Sequence, residues 1–469
     1  MIDLKAFRDD PARFIDGARK KGIAVDFERL RALDEETRRV QAEAEALRAE
    51  QNRLAKESGP AIGRLMGQIK SATGDARVAL EREAESLRAK PAALKDQIAA
   101  IEKRVEALTP ELNALLLTVP LPPDADVPVG KGAEDNVEVR RWSPANFDPA
   151  KSFESQRGFR PRAHQEIVER LGLVDFERGV KMAGSRSYVL KGMGMRLHQA
   201  VLRYAFDRIV DLHGFTPMSV PVIVREECMI GTGFFPAGRE QTYCVEETRR
   251  GEAHDLFLTG TGEVGLMGVY AGEILDEARF PLKMATVSTC FRREAGAAGR
   301  DTAGLYRIHQ FDKVEQVVIT RADEAESRKW HASMIDIVEQ LLQSLGVPYR
   351  LLQCCTGDLG VKNADMIDIE SWMPGRGEVD KDGVPRGAYG ETHSASRLYD
   401  YQCRRLNMRY RPGGAGGKGP TTFCHSLNNT VLASPRVLIP ILEMNQNENG
   451  SVTVPEVLRG YVGGVERIG

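Results

Sequence analysis

The chain has 469 residues, 42% hydrophobic and 28% charged, with a formal net charge of −2. This is globular composition, long enough for several domains. It excludes a global field that would draw the protein onto nucleic acid, so a polyanion must be met by a local patch. No run of 18 apolar residues is present to cross a membrane. The opening MIDLKAFRDDPARF is acidic and lacks an apolar stretch, so it does not read as a leader. Cys228, Cys244, Cys290, Cys354, Cys355, Cys403 and Cys424 are odd in number, scattered and without a C-x-x-C pair. That argues against a zinc knuckle or disulfide framework and for a cytoplasmic setting, with neither membrane nor DNA as partner.

Residues 27–116 are rich in Ala, Glu, Arg and Leu, the strong helix formers. Leu33, Val40, Leu47 and Leu54 recur every seven residues, accompanied by Leu30, Thr37, Ala44 and Gln51. After a break at ESGPAIG the seven-residue spacing resumes at Leu80, Leu87, Leu94, Ile101, Leu108 and Leu115, with Ile98, Val105 and Leu112 as the second row. Two heptad tracts that can satisfy each other predict an antiparallel helical hairpin, a projecting arm with limbs of roughly 45 and 60 Å. Pro91 predicts a kink or a fresh start in the second limb. The proline-rich residues 118–136 read as a linker.

Beyond the linker, Leu197, Val201, Ala205, Ile209 and Leu212 fall on one helical face that stops at Gly214. Short strand-like runs follow, often adjacent to one another, which predicts an α+β fold: an antiparallel sheet with helices on its faces. Three of these runs carry charge at even spacing, hence on one face of a strand. They hold Thr261 and Glu263, then Arg292 and Glu294, then Phe311, Lys313 and Glu315. Between the last two lies EAGAAGRDTAGLYRIH, a small-residue loop with arginines on both sides. Arginine forks suit phosphate. Phe311 offers a platform for a base, and Glu263 and Glu315 suit an amine and a hydroxyl. The surface is that of a site for a nucleotide and a small zwitterion together. GGAGGKGPTT is no Walker loop: Pro412 stands where its first glycine is required, and Gly419 follows Lys418 where a hydroxyl is needed.

These runs resemble the seryl-tRNA synthetases, a family of class II aminoacyl-tRNA synthetases. The FRxE, AGxxGRDTxG and HQFxKVE elements between residues 291 and 315 match the family's motif 2. GFTPMSVP after a long helix resembles motif 1, LASPRVLIPILEMNQ resembles motif 3, and CTGDLG and VPEVLRGYVGG also match. The resemblance implies a tRNA-binding hairpin arm over residues 1–117, a linker over 118–136 and a class II catalytic domain over 137–469. It implies activation of L-serine by ATP and transfer to the 3′ end of tRNA(Ser), with tRNA(Sec) as a further candidate, in a cytoplasmic homodimer. A paralogue that makes seryl-adenylate for a carrier protein or a biosynthetic pathway is the alternative.

The resemblance also implies roles. Arg292 and Arg436 are the catalytic arginines. Thr261, Gly262, Glu263, Arg292, Glu315 and Thr430 bind serine. Arg292, Arg293, Glu294, Ile308, Phe311, Glu391, Thr392, His393, Ser394 and Arg436 bind ATP, and Glu391 and Ser394 hold its magnesium. Arg300 is expected either at tRNA or pyrophosphate or in a structural pair with Asp301. The chain departs from the usual pattern at Gly262, His393 and Arg397, and in the longer segments 376–390 and 411–421.

Overall fold

The computed structural model describes residues 1–246, 256–295, 304–414 and 419–469, with the backbone alone at Lys90. Arg300 and Asp301 lie outside the described residues. The chain divides into two compact units, Ala24–Val119 and Met1–Ile23 with Pro120–Gly469.

The smaller unit is two long helices, α1 (Phe27–Ile69) and α2 (Gly74–Thr118). The Asp26 side chain accepts from the Arg29 amide and starts α1. Leu30, Leu33, Thr37, Val40 and Ala44 of α1 are buried, as are Ile98 and Leu112 of α2, so the heptad rows form the seam. Arg29 pairs with Glu111 at 2.7 Å and Arg104 with Glu36 at 2.6 Å, which fixes the antiparallel sense. Two sequence expectations are corrected here. The break at residues 57–63 is absent: α1 runs through Pro60, and the turn falls at 70–73. Pro91 starts nothing new, since α2 runs through both Pro91 and Pro110. A proline costs an isolated helix about 3 kcal/mol, but the seam continues on both sides of each one and packing carries the helix across. With 43 and 45 residues the helices reach about 65 and 68 Å.

The first 23 residues, expected in the arm, belong to the larger unit. The Met1 amino group donates to the Tyr401 carbonyl at 2.8 Å. Lys21 Nζ donates to the carbonyls of Gly360 at 2.9 Å and Asn363 at 2.5 Å. Residues 120–136 are also more than a linker. The amides of Leu121 and Asp124 donate to Val361 and Ala364, and the Asp124 carboxylate takes Arg397 Nε at 3.0 Å and the Tyr399 hydroxyl. Arg397 is 3% exposed. A guanidinium so buried requires an anion, and Asp124 with Asp365 at 2.8 Å supplies it. The unusual Arg397 therefore fastens this segment.

The main sheet has eight strands: β1 (Val137–Trp142), β2 (Thr216–Pro217), β3 (Leu282–Phe291), β4 (Gln310–Thr320), β5 (Tyr349–Gln353), β6 (Asp365–Met373), β7 (Ala388–Tyr399) and β8 (His425–Ser434). Their spatial order is β1-β5-β6-β7-β8-β4-β3-β2. All neighbours run antiparallel except the short β2 on β3. Helices α3 (Met193–Asp207), α4 (Gly262–Gly268), α5 (Glu324–Ser344) and α6 (Leu438–Met444) flank it. Leu197 and Val201 of α3, Met334 and Val338 of α5 and Ile441 of α6 share one core with Val314, Val318, Ile369 and Leu427 of the sheet. Leu212, expected on the buried face with Ile209, is 64% exposed. Residues Arg208–Leu212 form a wider π-helical turn, and the added residue per turn rotates Leu212 out of the seam.

Candidate active site

Two strand expectations near the site change, and both changes build it. Among the described residues, the run through Thr261 is strand at Leu256–Leu258 alone. Thr261 is extended and caps α4, accepting from the Glu263 amide at 3.3 Å. The signal was present in sequence: a Thr before Gly-Glu, then Val264, Leu266 and Met267 at helical spacing. β3 likewise ends at Phe291, and Glu294 takes a φ of +53°. That turn lets Arg307 Nη1 donate to Glu294 at 2.6 Å. β4 keeps its alternation, with Phe311, Lys313 and Glu315 on one face and Val314 and Val318 in the core.

One pocket is lined by Arg292, Glu294, Tyr306, Ile308, Phe311, Lys313, Glu391, Thr392, His393, Thr430, Ser434 and Arg436, among others. Its floor is β4, β8 and β7, and two bulges shape it. Glu315 faces Thr430 in register, and Val431 is the extra residue before Leu432 faces Val314. Thr392 is extra on β7, between His393 facing Ile369 and Glu391 facing Glu370. Bulges re-aim side chains beside a site, and here they fall at the residues expected to bind.

Beside this pocket lies a buried polar cluster. Lys313, Glu315 and Thr261 are 5%, 1% and 3% exposed. Lys313 forms an ion pair with Glu315 and donates to the Thr261 hydroxyl at 2.7 Å, which donates onward to Glu315 at 3.0 Å. Glu263, expected to receive an amine, is 1% exposed with both oxygens engaged. Lys362 donates to both at 2.7 Å and Gln402 to one of them. Lys362 and Gln402 were not singled out in sequence. They lie about 100 and 140 residues from Glu263, and no local pattern links them.

Around the pocket, Arg292 Nε donates to the Gly260 carbonyl at 3.3 Å and its guanidinium lies 5.3 Å from the Phe311 ring centroid. Arg436 Nε donates to the Tyr306 carbonyl at 2.9 Å and Nη1 to the Glu391 carbonyl at 3.1 Å, with the Glu391 carboxylate 3.7 Å away. Arg293 is exposed, and its amide donates to Gln241; it is not among the described lining residues. His393 is 1% exposed and bonds Thr392 through Nδ1 at 2.8 Å. Burial, reinforced by Arg436, pushes it down to about 3, so its imidazole is neutral. Ser394 faces Asp368 in register. Burial first, and the Glu391 charge second, push Asp368 up to about 8.

A cluster of arginines and carboxylates on an antiparallel sheet, around a pocket that Phe311 lines, is the architecture of a class II aminoacyl-tRNA synthetase. The model of the tRNA synthetase class II core domain (G, H, P, S and T) matches residues 243–445, and that of the seryl-tRNA synthetase N-terminal domain matches residues 1–123. The chain is 39% identical over its whole length to the serine–tRNA ligase of Deinococcus radiodurans, covering 99% of that protein. It is 40% identical to that of Paracoccus denitrificans, covering 100% of this chain and 99% of the relative. A seryl-tRNA synthetase from Pyrococcus horikoshii complexed with ATP superposes with a TM-score of 0.81 at 35% identity, covering 100% of this chain and 99% of that one. The cytoplasmic serine–tRNA ligase of Naegleria fowleri in complex with AMP gives 0.79 at 29%, covering 100% and 98%. The chain belongs to the seryl-tRNA synthetase family, and its activity is that of a serine–tRNA ligase.

Proposed function

We propose that the pocket binds ATP and the buried cluster binds L-serine, and that the two meet at Arg292. The carrying observation is the continuity of Phe311, Lys313 and Glu315 along one face of β4, which runs from the pocket into the cluster. Phe311 stacks the base, with Ile308 and Glu294 at its edge and Arg436 closing the nucleotide. Arg292 leaves the Phe311 ring to bridge the α-phosphate and the serine carboxylate. An oxygen of that carboxylate bonds the α-phosphorus as the α–β bridging bond breaks, and the electron pair leaves with pyrophosphate. Positioning and fixed positive charge supply the catalysis, and no protein nucleophile is needed. A terminal ribose hydroxyl of tRNA(Ser), and of tRNA(Sec) where the cell makes one, then bonds the seryl carbonyl carbon as its C–O bond to AMP breaks; AMP leaves with the electron pair and the hydroxyl proton passes to its phosphate.

Glu315 and Thr430 take the serine hydroxyl, and Thr261 and Glu315 share its amine. Releasing Lys313 from Glu315 is the change that serine must bring about. Glu263, held by Lys362 and Gln402, fixes the start of α4 that carries Thr261. A site that bonds the hydroxyl in a buried setting rejects alanine, because the polar partners would be left unmatched.

Glu391, half-exposed, and the Ser394 hydroxyl are the residues to hold magnesium, a hard cation that prefers oxygen. Asp368 supports the fit: one of its oxygens is buried without a hydrogen-bond partner, and Glu391 is close enough to raise it. The metal, when bound, screens the phosphates as pyrophosphate departs.

The hairpin is read as the arm that grips the variable arm of the tRNA. A symmetric homodimer through the helix at 197–213 and the strand at 216–217 is part of this reading. β2 pairs with β3 only at Met284 and Ala285, and Val287 beyond it is 41% exposed, as is fitting for a face that meets its twin. The paralogue alternative is disfavoured by the full-length match to curated serine–tRNA ligases and by the retained N-terminal domain. Aminoacylation of total tRNA with each amino acid tests the proposal. Serine alone should be charged; activation of serine without charging would favour the paralogue.

A further inference from the structure

Two guanidinium groups lie against the Tyr306 ring. Arg436 lies 4.6 Å from its centroid and Arg376 4.0 Å. The tyrosine is 8% exposed and its hydroxyl donates to the Glu391 carbonyl at 3.3 Å, the carbonyl that Arg436 also bonds. Gly390 makes the arrangement possible. A Cβ there would sit 3.1 Å from the Tyr306 ring and hydroxyl and 3.4 Å from Arg376 Nε. Any larger residue would compete for the space in which Arg376 lies along the β7 backbone. Arg376 opens a segment that the sequence marks as unusually long, and that segment is folded: Val379 and Pro385 bridge, and the amides of Asp380 and Arg386 bond back across it. The arginine therefore projects from an ordered hairpin base.

Arg436 already meets the Glu391 carboxylate at 3.7 Å. Two guanidinium groups gathered on one ring concentrate positive charge beside the pocket, where a polyphosphate can draw on both. Arg436 and Tyr306 line the nucleotide pocket, and Arg376 lies against the Tyr306 ring. The serine cluster and Arg292 occupy the α-phosphate region, so the end of ATP that remains to be met is the β,γ end.

We propose that Arg376 is a further ATP-binding residue that takes the β- and γ-phosphates, and the pyrophosphate formed from them, working with Arg436 beside Tyr306. This rests on the reading of the pocket as the ATP site. The probes are ATP and AMP, the second lacking the groups that Arg376 would hold. In titration calorimetry with the full-length R376Q enzyme, ATP should bind about tenfold more weakly, the scale of a lost charge-assisted bond. AMP should bind as before. In exchange assays the KM for pyrophosphate should rise while that for serine stays level, and R376K should recover part of the loss. Equal weakening of ATP and AMP would show that Arg376 only props Tyr306 and would overturn the proposal. So would ATP binding untouched by R376Q. An unaltered enzyme that binds no ATP would overturn the reading of the pocket and this inference with it.

Discussion

Lys362 donates to both carboxylate oxygens of Glu263 at 2.7 Å, and Glu263 is the residue whose amide Thr261 caps. The charge of a 1% exposed carboxylate is thus answered from a distant loop. Removing one partner of a buried ion pair leaves the other uncompensated, at about 3–5 kcal/mol. Lys362→Met should lower the melting temperature and raise the KM for serine at least tenfold, because the start of α4 carries Thr261. The KM for ATP should move less than threefold. The double variant K362M/E263Q, with no stranded charge, should regain most of the stability. If it unfolds as early as K362M, the pair is not what holds this corner.

Gly262 occupies a position where a side chain has no room. An added Cβ would meet the Thr286 methyl at 2.5 Å, Ser288 Oγ at 3.0 Å and Glu315 Cβ at 3.2 Å. Thr286 thus fills the volume that a larger residue in the T-x-E element would need. Gly262→Ala should push on Glu315 and raise the KM for serine severalfold. Removing the methyl with Thr286→Ser in the same chain should restore it. Serine-dependent pyrophosphate exchange across the four proteins of the cycle measures the coupling, and additive effects would refute the contact.

Arg292→Ala should abolish serine-dependent exchange with the fold intact, a hundredfold or more being about the scale of one lost transition-state contact. Glu315→Ala should instead weaken serine far more than ATP, since Glu315 bonds Thr261 and Lys313 within the buried cluster. Circular dichroism establishes folding, and exchange with each substrate varied separates the two. Near-normal exchange by the Arg292 variant would remove that residue from the mechanism.

What the sequence made legible follows the range of each interaction. The heptad seam and the alternation of Phe311, Lys313 and Glu315 are local periodicities, and both are in the structure. The helix limits were less legible, because Pro60 and Pro91 are local signals that long-range packing overrides. Even spacing of Thr261 and Glu263 reads as a strand face, yet the same letters are a cap and a first helical turn. The cap chemistry decides between them. Lys362, Gln402 and Arg376 reach the site from elsewhere in the chain, and only the topology brings them there; Tyr306 lies inside the motif 2 stretch, where no local pattern set it apart. Arg397 looked like an anomaly until Asp124, 273 residues away, supplied its counter-charge.

Lys21 gives the protein a pH-dependent anchor. Burial pushes its ammonium down to about 7, against a partial opposing pull from Asp124. Unfolded, it holds its proton to its usual value of 10.5. Between those values the unfolded state binds more protons, so the stability contributed here rises as pH climbs from about 7 toward 10 and is level below, where both states hold the proton. The two carbonyls it bonds flank Lys362. Comparing chemical unfolding of the wild type with Lys21→Met from pH 6.5 to 9.5, the wild type should gain relative to the variant as pH rises. Parallel curves would mean that Lys21 keeps an ordinary pKa.

The hairpin offers the sharpest separation of the two half-reactions. Its seam is satisfied within Ala24–Val119, a compact unit of its own, so replacing residues 30–114 by a short bridge removes one unit without opening the other's core. Serine-dependent exchange should be nearly intact and charging of tRNA(Ser) should collapse. A finer experiment follows from the charges near the turn. Arg53 is bound by Glu50 and Glu57, and Arg77 by Glu81. Exposed Lys56, Arg64 and Lys70 have no ion-pair partner among the described residues. Cations already paired on a helix surface have little left for a phosphate, whereas unpaired ones release counterions when they meet it. The triple variant K56A/R64A/K70A should therefore weaken tRNA binding, and the slope of log affinity against log salt should flatten by about two to three. Arg53→Ala should change both much less, and neither variant should alter exchange. A triple variant that binds tRNA with the wild-type salt slope would place the RNA contact elsewhere on the molecule.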